Sequence, residues 1–214
     1  MYIGQIRLEL LDFLFFSSLE YGNYYKTSLY LHNYALCYAL GLCPQRYFIQ
    51  IDKTHYKEDL KNLAKQGIYT YPAKWVGDFT EFQFNSMRDD YLLSREQNSP
   101  YPIHGFIKTI APMSFTITYI VAPEKLNLPS RIRLGKWETL TNVEVEWFKA
   151  EKVSKKDFLY QGVLNYFDLV HKPTAFNITE LSLPNRLIEN CFFENTILIT
   201  ADKIELPLCS FENI

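Results

Sequence analysis

Glycine is scarce in this 214-residue chain: there are eight, and none lies beyond Gly162. A glycine-rich phosphate cradle therefore has no place in the last quarter. No P-loop, dinucleotide fingerprint, GxSxG elbow or HExxH motif stands anywhere. The four cysteines, Cys37, Cys43, Cys191 and Cys209, include no CxxC spacing and lie near no histidine pair. They read as buried reduced thiols rather than a zinc or redox site. No apolar run reaches about 18 residues, so no transmembrane helix is expected. The opening segment alternates and carries Arg7 and Glu9 inside its apolar stretch, which marks a strand rather than a signal peptide. These absences point to a cytoplasmic protein with no cofactor, no intrinsic metal and no membrane partner. No Gly/Ser linker or internal repeat divides the chain, so residues 1–214 read as a single domain.

Charge of one sign is also missing. Twenty-two basic and 24 acidic side chains leave a net charge of −2. That argues against a free-standing, strongly electrostatic nucleic-acid binder. The distribution says more. Residues 131–157 hold seven basic and five acidic groups, whereas 158–214 hold three and seven, a balance of −4. The middle of the chain is the better place for a phosphate backbone. Aromatics are what the chain has in excess: 16 Tyr, 16 Phe and three Trp make 16% of it. Such rings fill cores, and Tyr and Trp also serve interfaces and base stacking.

Residues 2–10 alternate as a half-buried strand, with Tyr2, Ile6, Leu8 and Leu10 on one face. A loop around Gly22 and Asn23 leads to Thr27 or Ser28, either of which can cap a helix running to about Leu40, with Gly41 and then Pro44 at its stop. A charged helix is expected over 55–66, ended by Gly67. Residues 68–111 read as an insertion built on a long hairpin. Strands are expected over 113–122, 131–137, 142–148, 175–183, 195–200 and 203–208, the last two joined at Ala201–Asp202. One clear helix among many antiparallel strands gives an α+β fold.

Two strings do not follow from generic packing: GNYYKTSLYLHNYALCYALGL at 22–42, and IRLGKW at 132–137 followed by VEVE at 143–146. Together they resemble the small Cascade subunit of subtype I-D CRISPR systems, a handle-binding branch of the RAMP superfamily, and the order of elements fits over the whole chain. The resemblance implies a ferredoxin-like (RRM-type) core with an antiparallel sheet and an inserted β-hairpin thumb, placed at 68–111. It implies a non-catalytic subunit that grips the 5′ handle of the CRISPR RNA. Its implied partners are the nearest backbone subunit, the large subunit and target DNA near the protospacer-adjacent motif. Many RAMP proteins hold RNA with a glycine-rich loop near the C-terminus, and this chain has none there.

Within that frame, Arg131 and Arg133 share a strand face with Lys136 and Trp137 beyond, and Gly135 permits close backbone approach. A basic rung beside a Trp can hold phosphate and stack a base. It can equally be a solvated face paired with Glu138, Glu144 and Glu146. Tyr24, Tyr25 and Lys26 precede the expected helix, where free N–H groups favour phosphate, or else the tyrosines pack on the sheet. Tyr30, Tyr34 and Tyr38 form a stripe suited to packing. Lys74, Trp75, Arg88 and Arg95 are candidate thumb contacts. The alternative function is a metal-independent endoribonuclease that matures precursor RNA. It would need a tuned His or Lys, and His32, His55, His104 and Lys26 show no spacing that singles out a pair.

Overall fold

The computed structural model describes residues 1–43, 56–85, 104–181 and 186–213. In chain order the strands are β1 (Tyr2–Leu10), β2 (Leu19–Tyr21), β3 (Tyr24–Lys26) and β4 (Tyr30–Leu31). Helices α1 (Asn33–Ala39) and α2 (Tyr56–Lys65) follow, then β5 (Tyr69–Thr70), β6 (Ala73–Lys74), β7 (Phe79–Asn85), β8 (His104–Ile110) and β9 (Phe115–Ala122). The second half is strand throughout: β10 (Arg131–Leu134), β11 (Thr139–Lys149), β12 (Glu151–Tyr160), β13 (Leu164–Asn165), β14 (Ala175–Leu181), β15 (Arg186–Ala201) and β16 (Ile204–Pro207). Short 3-10 turns lie at Tyr166–Asp168 and Phe211–Asn213. The protein is a mostly-sheet α+β fold. Among the described residues no helix is long and apolar enough to cross a membrane.

The central sheet runs β10-β11-β1-β9-β5. Its pairings are antiparallel, with Ile6 opposite both Val145 and Thr118. Alternation explains β1: Ile6, Leu8 and Leu10 are fully buried while Arg7 and Glu9 stay half-buried on the other face. After Lys149 the chain passes through Ala150 into β12 and a second, curled sheet. There the 16-residue β15 pairs with β12, β13, β14 and β16 in turn. A third sheet, β2-β3-β8-β7, stands beside the first. One buried cluster draws on both large sheets and both helices, and Tyr71, Phe193 and Phe211 are its largest fully buried side chains. Burying each such ring contributes roughly 2 kcal/mol or more.

Several expectations held. Helix α2 starts with Glu58 and Asp59, ends with Lys65, and buries Leu60 and Leu63 one turn apart. Gly67 follows at φ +70°, the left-handed stop that glycine supplies without penalty. The expected hairpin of β15 and β16 is present, but it turns one residue later than Ala201–Asp202, at Asp202–Lys203, with Ala201 opposite Ile204. The stretch expected as an insertion at 68–111 does not stand apart as one piece: Tyr69–Thr70 joins the central sheet against β9, while β7 and β8 pair antiparallel.

Other expectations are corrected. The helix does not begin at Thr27 or Ser28. It begins at Asn33, and His32 caps it, its Nδ1 accepting from the Tyr34 N–H at 3.2 Å. Residues 24–26 and 30–31 are strands instead, because β8 and β6 offer them ladder partners. Ser28 uses its hydroxyl to hold the Tyr30 N–H at 3.2 Å, a local turn that competes with a helix. Strand β10 stops at Leu134, and the expected strand at 195–200 is the end of the longer β15. Strand β12 had no sequence signal. It lies at an edge and is exposed along most of its length, so its apolar alternation is weak.

Candidate nucleic-acid interface

The turn between β10 and β11 is the most basic exposed corner that the sequence singled out. Along β10, Ile132 and Leu134 are buried, so Arg131 and Arg133 face solvent between them. Four residues, Gly135 to Glu138, connect Leu134 to its partner Thr139. Gly135 sits at φ +73°, and a Cβ there would lie 2.4 Å from the Phe15 carbonyl oxygen. The same oxygen accepts the Lys136 N–H at 2.7 Å. A backbone does approach Gly135 closely, and it is the protein's own segment at Phe15. The Arg133 guanidinium donates to the Glu138 carbonyl at 3.0 Å and braces the turn.

Trp137 rests on Phe15 at 5.1 Å and on Phe82 of β7 at 6.0 Å, and Phe82 meets Phe13 edge-on at 4.8 Å. This cluster ties the β7–β8 hairpin to the turn and leaves the indole 45% exposed. Among the described residues no ion pair joins Arg131, Arg133 or Lys136 to Glu138, Glu144 or Glu146. Arg7 takes Glu9 at 2.8 Å and Glu144 at 3.7 Å. The turn thus presents cations and an indole at the surface, a combination that can meet phosphate and base together.

Tyr24, Tyr25 and Lys26 do not stand before a helix N-terminus. They form β3, parallel to β8, so a dipole argument does not apply to them. Tyr24 donates its hydroxyl to Glu81 at 3.0 Å, and Tyr25 packs against Phe84 at 6.1 Å. Lys74 pairs with Glu189 at 3.0 Å and lies over the Tyr30 ring at 5.3 Å. Trp75 is 2% exposed and belongs to the core, not to a contact surface. Arg88, Arg95 and His55 lie outside the described residues.

The helical part of the first landmark string points inward. Asn33 Nδ2 and the Tyr34 and Tyr69 hydroxyls all donate to the Asp168 carboxylate, at 2.8, 2.8 and 3.0 Å. Desolvation outweighs these three donors and raises Asp168 to about 6. Asn165, one turn away, reaches the Asn33 Oδ1 at 3.4 Å. Cys37 meets the Thr70 hydroxyl at 2.9 Å, and Tyr38 donates to Asp59 at 2.7 Å. The helix is thus fastened to β5, to α2 and to the 3-10 turn at 166–168. Burial lowers His32 to about 4, so its ring is neutral at neutral pH. Burial also pushes the Cys43 and Cys191 thiols up to about 12. His104 stands exposed at the start of β8. Among the described residues no group of three or more His, Cys, Asp or Glu side chains is placed to hold a metal ion.

Asp168, Tyr69 and Asn165 escaped sequence reading. No spacing connects residue 33 with residue 168, and the one hint was an asparagine inside an otherwise apolar helix.

Residues 1–210 match the family model described as type I-D CRISPR-associated protein Cas5/Csc1. No curated protein matches the chain.

Proposed function

This chain belongs to the type I-D CRISPR-associated Cas5/Csc1 family, and from that premise we propose that it is the subunit of the surveillance complex that holds the 5′ handle of the CRISPR RNA without cleaving it. The observation that carries the reading is the turn at 131–137, where Arg131, Arg133, Lys136 and a 45% exposed Trp137 share one corner of the central sheet. Arg and Lys take phosphates by charge, and an exposed indole face takes a splayed base.

The strand order β11-β1-β9-β5, with α1 inside the first crossover, is the order of a ferredoxin-like antiparallel sheet and supports the RAMP assignment. The second crossover carries β10 in place of a helix. On this reading the β7–β8 hairpin is the thumb. The backbone subunit, the large subunit and target DNA beside the protospacer-adjacent motif share the remaining surface, and the complex works in the cytoplasm. The non-catalytic part of the reading is supported by His32: its Nδ1 is used to cap a helix and its Nε2 is buried inside the protein, away from any substrate.

The test is co-expression with the neighbouring subunits and a CRISPR array, followed by purification through a tag on this chain. One RNA species that starts with a repeat-derived handle and requires the other subunits is the expected result. Precursor RNA incubated with this chain alone should stay intact. Cleavage that disappears in a His32→Ala protein would replace the proposal with the endoribonuclease reading.

A further inference from the structure

The central sheet has a second face. The first packs Ile6, Leu8 and Leu10 into the core. The second carries Gln5, Arg7 and Glu9 of β1, and the registers fix what stands beside them. Phe115 lies opposite Glu9, Ile117 opposite Arg7 and Tyr119 opposite Gln5. On the other side of β1, Glu144 lies opposite Arg7 and Glu146 opposite Gln5. Beyond β9, Val76 forms a bridge with Phe115, each N–H meeting the other's carbonyl, at 2.8 and 3.0 Å. Directly opposed residues point the same way, and so do residues two apart on a strand. Val76, Phe115 and Ile117 therefore share the outward face.

That face is apolar along one strip. Val76 is 58% exposed, Ile117 46% and Phe115 36%. Met113, 71% exposed, and Leu11, 40% exposed, extend the strip where β9 begins and β1 ends. The Met113 N–H donates to the Leu10 carbonyl at 2.9 Å and ties these two ends together. The five residues leave roughly 400 Å² of apolar side chain in water, a size at which a patch marks an interaction site. The strip is narrow. Two strand spacings make it about 10 Å wide, and four residues make it about 13 Å long from Met113 to Ile117. A helix is about 10–12 Å across and rises about 5.4 Å per turn. One helix of two to three turns covers the strip, whereas a second sheet would overhang onto the charged rows beside it.

The flanks select the chemistry. Arg7 is held by Glu9 at 2.8 Å and Glu144 at 3.7 Å, and its guanidinium lies over the Phe115 ring at 5.4 Å. One cation thus stands among three carboxylates, Glu9, Glu144 and Glu146, along the strip. Arg131 lies in the row of Phe115 but three strands away. On the Val76 side Lys74 is spent on Glu189 at 3.0 Å. An acidic flank repels phosphate and attracts Lys and Arg, so it fits a protein and not a nucleic acid.

We propose that Val76, Phe115 and Ile117, with Met113 and Leu11 at one end, seat a single amphipathic, basic helix of a neighbouring protein subunit. This rests on the reading of the chain as a subunit of a complex and adds a protein-binding face to it, on a different surface from the 131–137 turn. The helix lays apolar anchors at i, i+3 or i+4, and i+7 along β9, and its Lys or Arg side chains meet Glu144 and Glu146.

The test places the photocrosslinking residue p-benzoylphenylalanine in place of Ile117 or of Met113 in the complex co-expressed with its neighbouring subunits and a CRISPR array. Peptide mass spectrometry locates the adducts. Both positions should crosslink to one segment of one other subunit, with helical spacing of its apolar residues and Lys or Arg beside them. A Met113→Asp/Ile117→Asp chain should retain that subunit about tenfold less well on a tagged purification, and its own melting temperature should stay within a few degrees of wild type. Wild-type retention should weaken with added salt, and Glu144→Lys/Glu146→Lys should weaken it further at low salt.

Adducts to RNA or DNA, to a second copy of this chain, to other residues of this chain, or to a segment without helical apolar spacing would overturn the proposal. So would unchanged retention in a folded Asp/Asp chain. A complex that carries handle-bearing RNA but gives no adduct to another subunit would remove the helix and leave the handle reading standing. Helix adducts in a complex that recovers no RNA would do the reverse.

Discussion

The two strings that make this chain recognisable face opposite ways. The helix string at 30–42 turns Asn33, Tyr34 and Cys37 into the core, where they fasten α1 to Asp168 and Thr70. The turn string at 132–137 buries Ile132 and Leu134 and pushes Arg133 and Trp137 outward, beside Arg131 just before it. Both stretches are distinctive, yet the helix spends its polar side chains on the fold, while the turn leaves cations and an indole at the surface. A motif can be distinctive because a fold needs it. The buried Asp168 knot demands an Asn and two Tyr in fixed places, as strictly as a binding site would. Even in the turn, Gly135 answers to the fold, since the Phe15 carbonyl leaves no space for a side chain.

The comparison breaks most visibly if the inward string is cut. Asp168→Ala strands three buried donors and should cost about 3–5 kcal/mol, read as a large drop in melting temperature or loss of the folded protein. A loss below about 1 kcal/mol would mean that the knot does not hold the helix. Next comes Gly135→Ala, which forces a side chain into a left-handed turn against backbone. It should cost roughly 1–3 kcal/mol by denaturant titration, although the residue lies beside the surface. Arg131→Ala should leave stability within about 0.5 kcal/mol, as expected for a solvent-facing side chain.

The inward region also carries a pH signature. Asp168 has a folded value of about 6, above its unfolded value, so its contribution is full below pH ~4 and is lost as pH rises through 6. His32 has a folded value of about 4, below its unfolded value, so its contribution is present above pH ~6.5 and is lost as pH falls toward 4. Between pH ~4 and 6 the two slopes oppose each other and largely cancel. Asp168→Asn should unmask a stability that rises with pH over that window. His32→Gln should unmask one that falls. Chemical denaturation at several pH values checks both signs, and matching slopes in the two variants would refute the assignment.

Much of the fold was legible because local rules agreed with the outcome. Alternation marked β1 and β9, Gly67 ended α2, and the last hairpin was found with its turn one residue early. The helix start was misjudged because Thr27 and Ser28 are good caps, while the strand partners that override them lie near residues 74 and 108. Strand β12 was hidden because an edge strand buries little: of its ten residues only Phe158 is buried. In the candidate interface the sequence marked Arg131, Arg133, Lys136 and Trp137 but read them as one strand, whereas the strand ends at Leu134 and a turn carries Lys136 and Trp137. It could not reveal that Tyr24–Lys26 form a strand beside β8, because that pairing joins residues some 80 positions apart.

The most direct test of the outward role is a salt titration of guide RNA binding by the co-expressed subunits, with the wild-type chain and with an Arg131→Ala/Arg133→Ala/Lys136→Ala chain. If the turn meets the RNA backbone, the triple variant should melt within a few degrees of wild type. The slope of log affinity against log salt should fall by about two, roughly 0.7 for each lost phosphate contact. An unchanged slope with unchanged stability would contradict the account, because the corner would then be exposed, basic and aromatic without touching RNA.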